Sequence, residues 1–255
     1  MAKARLNGIE IDYEDGGHGP ALLLSHGYSA TGRMWAGQRP VLEPICRLVT
    51  WDMRGHGQTD SPDDPAQYSE ALTVADMHAL LRHRGIDRAV IGGLSLGGYV
   101  SLAFHRAHPD MVRALVICDS GPGYRNVDAR AAWNERARDR ARDLETRGLD
   151  ALRSSSREMQ DAMRHHRSAQ GLAHAARGML AQEGPSVIDS LPDVRVPTLI
   201  IVGDRDTPFI APSEYMAKKI SGARLEVIRD AGHASNLDQP LAFNRVLLDF
   251  LASLP

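Results

Sequence analysis

Between an apolar run at residues 89–91 and a helical stripe of Val100, Ala103 and Phe104 lies Gly93-Leu94-Ser95-Leu96-Gly97-Gly98. A chain that passes from strand to helix in so few residues must turn sharply. The turn crowds the serine backbone against its neighbours two positions away on either side. Glycine at 93 and 97 removes the Cβ atoms that would collide there. Ser95 would then present its hydroxyl at a helix N-terminus, where the helix dipole favours a developing anion. A strand that runs straight into a helix is the building unit of an α/β fold.

The rest of the chain keeps the same rhythm. Short apolar runs recur at residues 21–24, 48–51, 114–118, 198–202 and 225–228. Continuous apolarity over so few residues suits strands buried on both faces of a parallel sheet. Asn7-Gly8 separates two extended runs, at 4–6 and 9–13, and predicts a hairpin, because both central residues must accept positive φ. Helical stripes lie between the runs. Val74, Met77, Leu80 and Leu81 share one face, with Gly85 placed to end that helix. Pro240 opens another, striped by Phe243, Leu247, Phe250 and Leu251. The expected fold is α/β, a mostly parallel central sheet flanked by helices. Residues 122–191 interrupt it as a small helical cap, because that stretch holds no convincing strand. The catalytic core is then 1–121 with 192–255.

Within the cap, Arg136, Arg138, Arg140 and Arg142 alternate with Ala137, Asp139, Ala141 and Asp143. A solvated helix laced with i,i+3 and i,i+4 ion pairs is the plainer reading of that run. A patch for an anionic substrate is the sharper one.

Composition excludes several classes. With 43% hydrophobic and 24% charged residues the chain is neither disordered nor fibrous, and a net charge of −2 offers no basic field for nucleic acid or an anionic membrane. No run approaches a membrane span, and the first residues lack the apolar stretch of a secretory signal. A cytoplasmic location is expected. Cys46 and Cys118 read as buried reduced thiols. No His/Cys/Asp cluster has metal spacing and no glycine-rich loop suits phosphate, so neither a metal nor a cofactor is expected. A homo-oligomer is left open.

A neutral serine hydroxyl needs a base. His233 sits in Asp230-Ala231-Gly232-His233, just past the last apolar run, where Gly232 lets the loop turn back over the strand ends. His78, His83, His105, His108, His165, His166 and His174 fall in helical patterns and are expected at the surface. The base needs an orienting acid. Asp206, in the Gly203–Asp206 turn after the run at 198–202, is the first choice, with Asp204 next and Asp119 third. The backbone N–H groups of Tyr28, after Gly27, and of Leu96 are the expected oxyanion donors. His26 reads as a residue that fixes its loop. Trp133, Tyr124, Arg125, Met159, Met163 and Phe209 are candidates for the pocket rim. Trp133 is the best single choice, as a large rigid surface in a stretch poor in aromatics.

In chain order, His26-Gly27, Asp52-Met53-Arg54-Gly55-His56-Gly57, the Gly93–Gly97 turn, and Gly203–Asp206 with Gly232-His233 resemble the α/β-hydrolase superfamily. The likeness spans about positions 20 to 240. Tyr28, Met34-Trp35 and the compact cap are most similar to small esterases and lactonases of the 3-oxoadipate enol-lactonase type. The resemblance implies a nucleophile–acid–base order of Ser95, Asp206 and His233, and a structural role for the Asp52–Gly57 turn. It implies an active site under the cap and a small-molecule ester or lactone substrate. A serine at 95 separates the chain from haloalkane dehalogenases and epoxide hydrolases, which use aspartate. Three alternatives stand beside ester hydrolysis: C–C bond cleavage of a ring-cleavage diketone, cofactor-free perhydrolase or haloperoxidase chemistry, and a non-catalytic ligand receptor on a hydrolase shell.

Overall fold

The computed structural model describes residues 2–154 and 156–255. The strands are β1 (Ala2–Leu6), β2 (Ile9–Gly16), β3 (Ala21–Ser25), β4 (Arg47–Trp51), β5 (Ala89–Leu94), β6 (Val112–Cys118), β7 (Thr198–Gly203) and β8 (Arg224–Ile228). They form one sheet in the order β1-β2-β4-β3-β5-β6-β7-β8. β1 and β2 pair antiparallel, as do β2 and β4, and every later pair is parallel. The mostly parallel α/β sheet expected from the alternating pattern is therefore observed. Asn7 and Gly8 make the predicted hairpin turn with φ of 48° and 82°.

Side chains that alternate along each strand divide the core between the two faces. Leu22 and Leu24 of β3 pack with Trp35, Phe243 and Leu247. Leu23, between them, packs with Leu80, Val100 and Phe104. The helix Glu70–His83 starts where the Ser69 hydroxyl accepts the Leu72 N–H at 3.1 Å. Gly85, at φ 66°, takes the left-handed conformation just past its end. The last helix, Pro240–Ala252, buries Phe243, Leu247 and Phe250 as its stripe predicts.

One strand departs from expectation. The run at 225–228 does form a strand, but it is not buried on both faces. β8 bonds only to β7, at the edge of the sheet, and Val227 is 51% exposed.

Between β6 and β7 the chain is helical, and no strand occurs there among the described residues. Its longest element is the helix Val127–Arg147, capped by the Asn126 side chain on the Ala129 N–H at 2.8 Å. Ala137, Ala141 and Leu144 face inward. They join Leu172, Met179 and Leu180 in the same apolar cluster as Tyr28, Leu96 and Tyr99. This segment therefore shares its core with the sheet. Among the described residues no helix is long and apolar enough to cross a membrane.

A buried ion pair fixes the Asp52–Gly57 turn beneath. Arg54 forks onto both oxygens of Asp76, 2.9 Å each, with both side chains fully enclosed. Asp52 accepts the Gly32 and Gln58 N–H groups at 2.8 Å each, and burial pushes its carboxyl up to about 6. These contacts give the turn the structural role that the resemblance implies.

Candidate active site

Ser95 stands between the end of β5 and the helix Leu96–Ala107 with φ 55° and ψ −115°. That strained conformation persists because the surroundings hold it. The Ser95 N–H donates to the Cys118 carbonyl at 2.9 Å, and its own carbonyl accepts the Ser120 hydroxyl at 2.6 Å. A Cβ on Gly93 would lie 2.6 Å from the carbonyl carbon of Gly97, and one on Gly97 would lie 2.3 Å from the Ser25 carbonyl oxygen. The crowding thus comes from the partner glycine, as the spacing predicts, and also from the end of β3.

The expected base and acid come from the loops that follow β8 and β7. His233 Nε2 lies 2.9 Å from Ser95 Oγ, and His233 Nδ1 lies 2.8 Å from Asp206 Oδ2. The three side chains form one continuous hydrogen-bonded file. Asp206, 4% exposed, follows β7 at the head of the helix Thr207–Lys219. His233 follows β8, and the Phe209 ring stacks on it at 4.8 Å. Burial works against a charged imidazole, but the hydrogen bond and charge of Asp206, with the charges of Glu158 and Asp119, outweigh it. They hold the His233 pKa above the ordinary histidine value.

The other two acid candidates do different work. Asp204 is exposed and accepts the Ala231 N–H at 3.3 Å. Asp119 is fully buried and makes no bond to His233. It accepts the Gly203 N–H at 2.9 Å, and the Ser235 N–H and hydroxyl at 3.1 and 2.5 Å. It therefore ties the end of β7 to the loop that carries His233. Burial pushes its carboxyl up to about 7 against those bonds.

The loop after β3 passes beside the serine. A Cβ on Gly27 would lie 3.5 Å from Ser95 Cβ. Among the described residues, neither the Tyr28 nor the Leu96 N–H is taken by a protein acceptor. His26 is enclosed and fixes this loop, with Nδ1–H donating to the Gly27 carbonyl at 2.7 Å and Nε2 accepting the Met53 N–H at 2.9 Å. Burial lowers its pKa to about 3, so it stays neutral.

Three histidines read as surface residues are instead buried: His105, His166 and His174. His166 shows the reason. Its Nδ1 accepts the Gly57 N–H at 2.9 Å and its Nε2–H donates to the Ser29 carbonyl at 2.9 Å. A ring with a donor on one side and an acceptor on the other can bridge two loops in a site closed to water. The Tyr28 hydroxyl makes a second tie from the loop to the helical segment, donating to the Leu172 carbonyl at 3.0 Å. Helical periodicity carries no signal for such long-range partners.

A cleft with two lobes opens at Ser95. Both lobes share Trp133, Leu180 and Phe209. One runs toward Tyr99, Ser120, Tyr124, Gln182 and Pro212. The other holds His233, Asp206, Arg136, Arg140, Ser156 and Met159. Trp133 is fixed there by its Nε1–H donating to the Leu180 carbonyl at 2.8 Å. Of the rim candidates, Tyr124, Trp133, Met159 and Phe209 line the cleft. Arg125 does not: it is exposed and pairs with Asp189. Met163 packs against the core cluster. Tyr99, Leu180 and Gln182 have no motif to single them out as lining, whereas Arg136 and Arg140 belong to the alternating run for which an anionic-substrate patch is one of the two readings.

Residues 22–246 match the sequence profile of the alpha/beta hydrolase family. The chain belongs to that family. It is 29% identical over 252 residues to 3-oxoadipate enol-lactonase 1 of Acinetobacter baylyi, covering 92% of this chain and 90% of that one. The solved enol-lactonase from Burkholderia xenovorans superposes with a TM-score of 0.80 at 26% identity, over 99% of this chain and 100% of that one. A thermophilic esterase from Thermogutta terrifontis superposes with a TM-score of 0.84 at 29% identity, over 99% and 98%. Among these alpha/beta hydrolase relatives are esterases and lactonases alike.

Proposed function

We propose that this alpha/beta hydrolase cleaves a carboxylic ester or lactone by two-step acyl transfer. His233 Nε2 takes the Ser95 proton as Oγ attacks the carbonyl carbon. The resulting oxyanion is held by the Tyr28 and Leu96 N–H groups, each such donor being worth about 3 kcal/mol in the transition state. Collapse breaks the acyl–oxygen bond, and His233 returns its proton to the leaving oxygen. Water, deprotonated by His233, then attacks the acyl-enzyme and releases the acid. Asp206 holds the imidazole in the required tautomer and stabilises the imidazolium. The helical segment at 122–191 acts as a cap that closes the cleft over Ser95.

The observation that carries this reading is the unbroken file Ser95 Oγ, His233 Nε2, His233 Nδ1, Asp206 Oδ2, with separations of 2.9 and 2.8 Å. An ester or lactone is the substrate class because the lactonase and esterase relatives carry those activities in their names. Ser95→Ala tests it with p-nitrophenyl acetate and butyrate. Turnover should vanish while the circular dichroism spectrum is unchanged; retained turnover would overturn the assignment.

A further inference from the structure

The arginines of the helix Val127–Arg147 fall into two groups. Arg138 and Arg142 both pair with Glu135, Arg142 also pairs with Asp139, and Arg147 pairs with Asp143. These form the solvated, ion-paired face. Arg136 and Arg140, one helical turn apart, line the cleft instead. Among the described residues neither has a carboxylate partner. Arg136 lies over the Trp133 ring at 5.7 Å, and Arg140 Nη1 is 4.0 Å from the Met159 sulfur. On a helix this rich in acids, two unpaired guanidinium groups at the one cleft that contains Ser95 stand out. The nearby acids make no ion pair with either arginine, although Glu158 Oε2 is buried without a hydrogen-bond partner among the described residues. Asp206 holds His233, and buried Glu158 takes the Ser156 hydroxyl at 2.5 Å. The Arg140 charge also reaches inward, acting on the buried Tyr28 phenol against the dominant effect of burial.

Which part of a substrate would meet these arginines follows from the chemistry. The leaving oxygen must come within reach of His233 Nε2 to be protonated. The alcohol half of the substrate therefore enters the lobe lined by His233, which is also the lobe of Arg136 and Arg140. The acyl half enters the other lobe, lined by Tyr99, Tyr124, Leu180 and Pro212. We infer that Arg136 and Arg140 form a subsite for a carboxylate on the alcohol side of the scissile bond, so that the favoured substrates are short-acyl esters of hydroxy acids whose carboxylate is free. This inference rests on the Ser95 mechanism. Guanidinium groups suit it because they bind carboxylates in fork geometry and stay charged at any working pH.

Two isomeric monoanions and a neutral ester test it. 4-Acetoxybutanoate carries its carboxylate on the alcohol side, monomethyl glutarate on the acyl side, and butyl acetate carries none. The expected order of kcat/KM is 4-acetoxybutanoate, then butyl acetate, then monomethyl glutarate, with about tenfold between the first two. In the double variant Arg136→Gln/Arg140→Gln, the ratio of 4-acetoxybutanoate to butyl acetate should fall about tenfold. In Arg138→Gln/Arg142→Gln it should stay at the value of the unsubstituted protein. Raising salt to 0.5 M should compress the same ratio, since both arginines are exposed to solvent. Preference for monomethyl glutarate, or an equal response of charged and neutral esters to the first double variant, would overturn the subsite. If no ester is turned over at all, the Ser95 reading fails, and calorimetry with 4-hydroxybutanoate still decides the subsite. Saturable binding lost in Arg136→Gln/Arg140→Gln supports it, and no binding to the unsubstituted protein refutes it.

Discussion

The sheet and the helical segment above it contribute to the cleft by different physical means. On the sheet side, Ser95, Asp206 and His233 each sit at the carboxyl end of a strand or in the loop just beyond it, and backbone bonds hold every turn. Asp119 links the end of β7 to the loop of His233 through Gly203 and Ser235, beside the Arg205 N–H bond to the Ala231 carbonyl. On the segment side, Trp133, Leu180, Arg136 and Arg140 reach the cleft through the packing of one helix and the turns beside it. Reactive atoms need positions fixed to a few tenths of an ångström, which strands bonded into the sheet and turns tied by hydrogen bonds supply. Substrate selection tolerates looser, side-chain-built walls. Under the proposed function this is a division of labour: chemistry from the sheet, selectivity from the segment.

That comparison can be broken at several points. The largest effect is expected at the acid. Asp206→Asn should lower kcat by roughly 10⁴-fold through the wrong histidine tautomer. Asp204→Asn, which loses only a loop contact, should stay within about threefold. Steady-state kinetics on a p-nitrophenyl ester reads both, and similar small losses would remove Asp206 from the acid role.

Ion pairs separate the two regions next. Asp76→Asn leaves the enclosed Arg54 charge unpaired beneath the sheet and should cost about 3–5 kcal/mol. For a chain of this size that is a fall in Tm of about 10 °C. Glu135→Gln on the outer face of the helix should leave Tm unchanged within error, because exposed pairs contribute little. Equal shifts in calorimetry would erase the contrast.

A smaller, pH-dependent effect is expected where the two regions meet. Burial lowers the His166 pKa from 6.5 to about 4, against the upward pull of its bond to the Ser29 carbonyl. Between those values the unfolded chain binds a proton that the folded chain refuses. The stability His166 contributes is thus full above pH 6.5 and is lost as pH falls toward 4. The Tm gap between the unsubstituted protein and His166→Asn should narrow by at least about 3 °C over that window. A gap constant with pH would show that His166 is not held neutral.

The legible and illegible parts of the molecule follow the same division. Local steric demands wrote the elbow at Gly93 and Gly97, the hairpin at Asn7-Gly8 and the strand runs into short stretches of chain, so a linear reading recovers them. Asp206 and Asp204 occupy one turn with no local signal to separate them, and it is the 2.8 Å contact of Asp206 with His233 Nδ1 that distinguishes the two. The edge exposure of β8 depends on sheet order, which no single run encodes. Burial of His166 and the split of the arginines depend on which helix face meets the cleft. For Arg136 and Arg138 the sequence is nearly the same, and only packing distinguishes them.

The central claim is that Ser95 is a nucleophile activated by His233. A fluorophosphonate reports this directly, because it phosphonylates an activated serine and not an ordinary one. Intact-mass and peptide analysis should show one adduct per chain, on Ser95, formed in step with loss of esterase activity and absent in His233→Ala. An adduct elsewhere, or full activity after phosphonylation of Ser95, would contradict it.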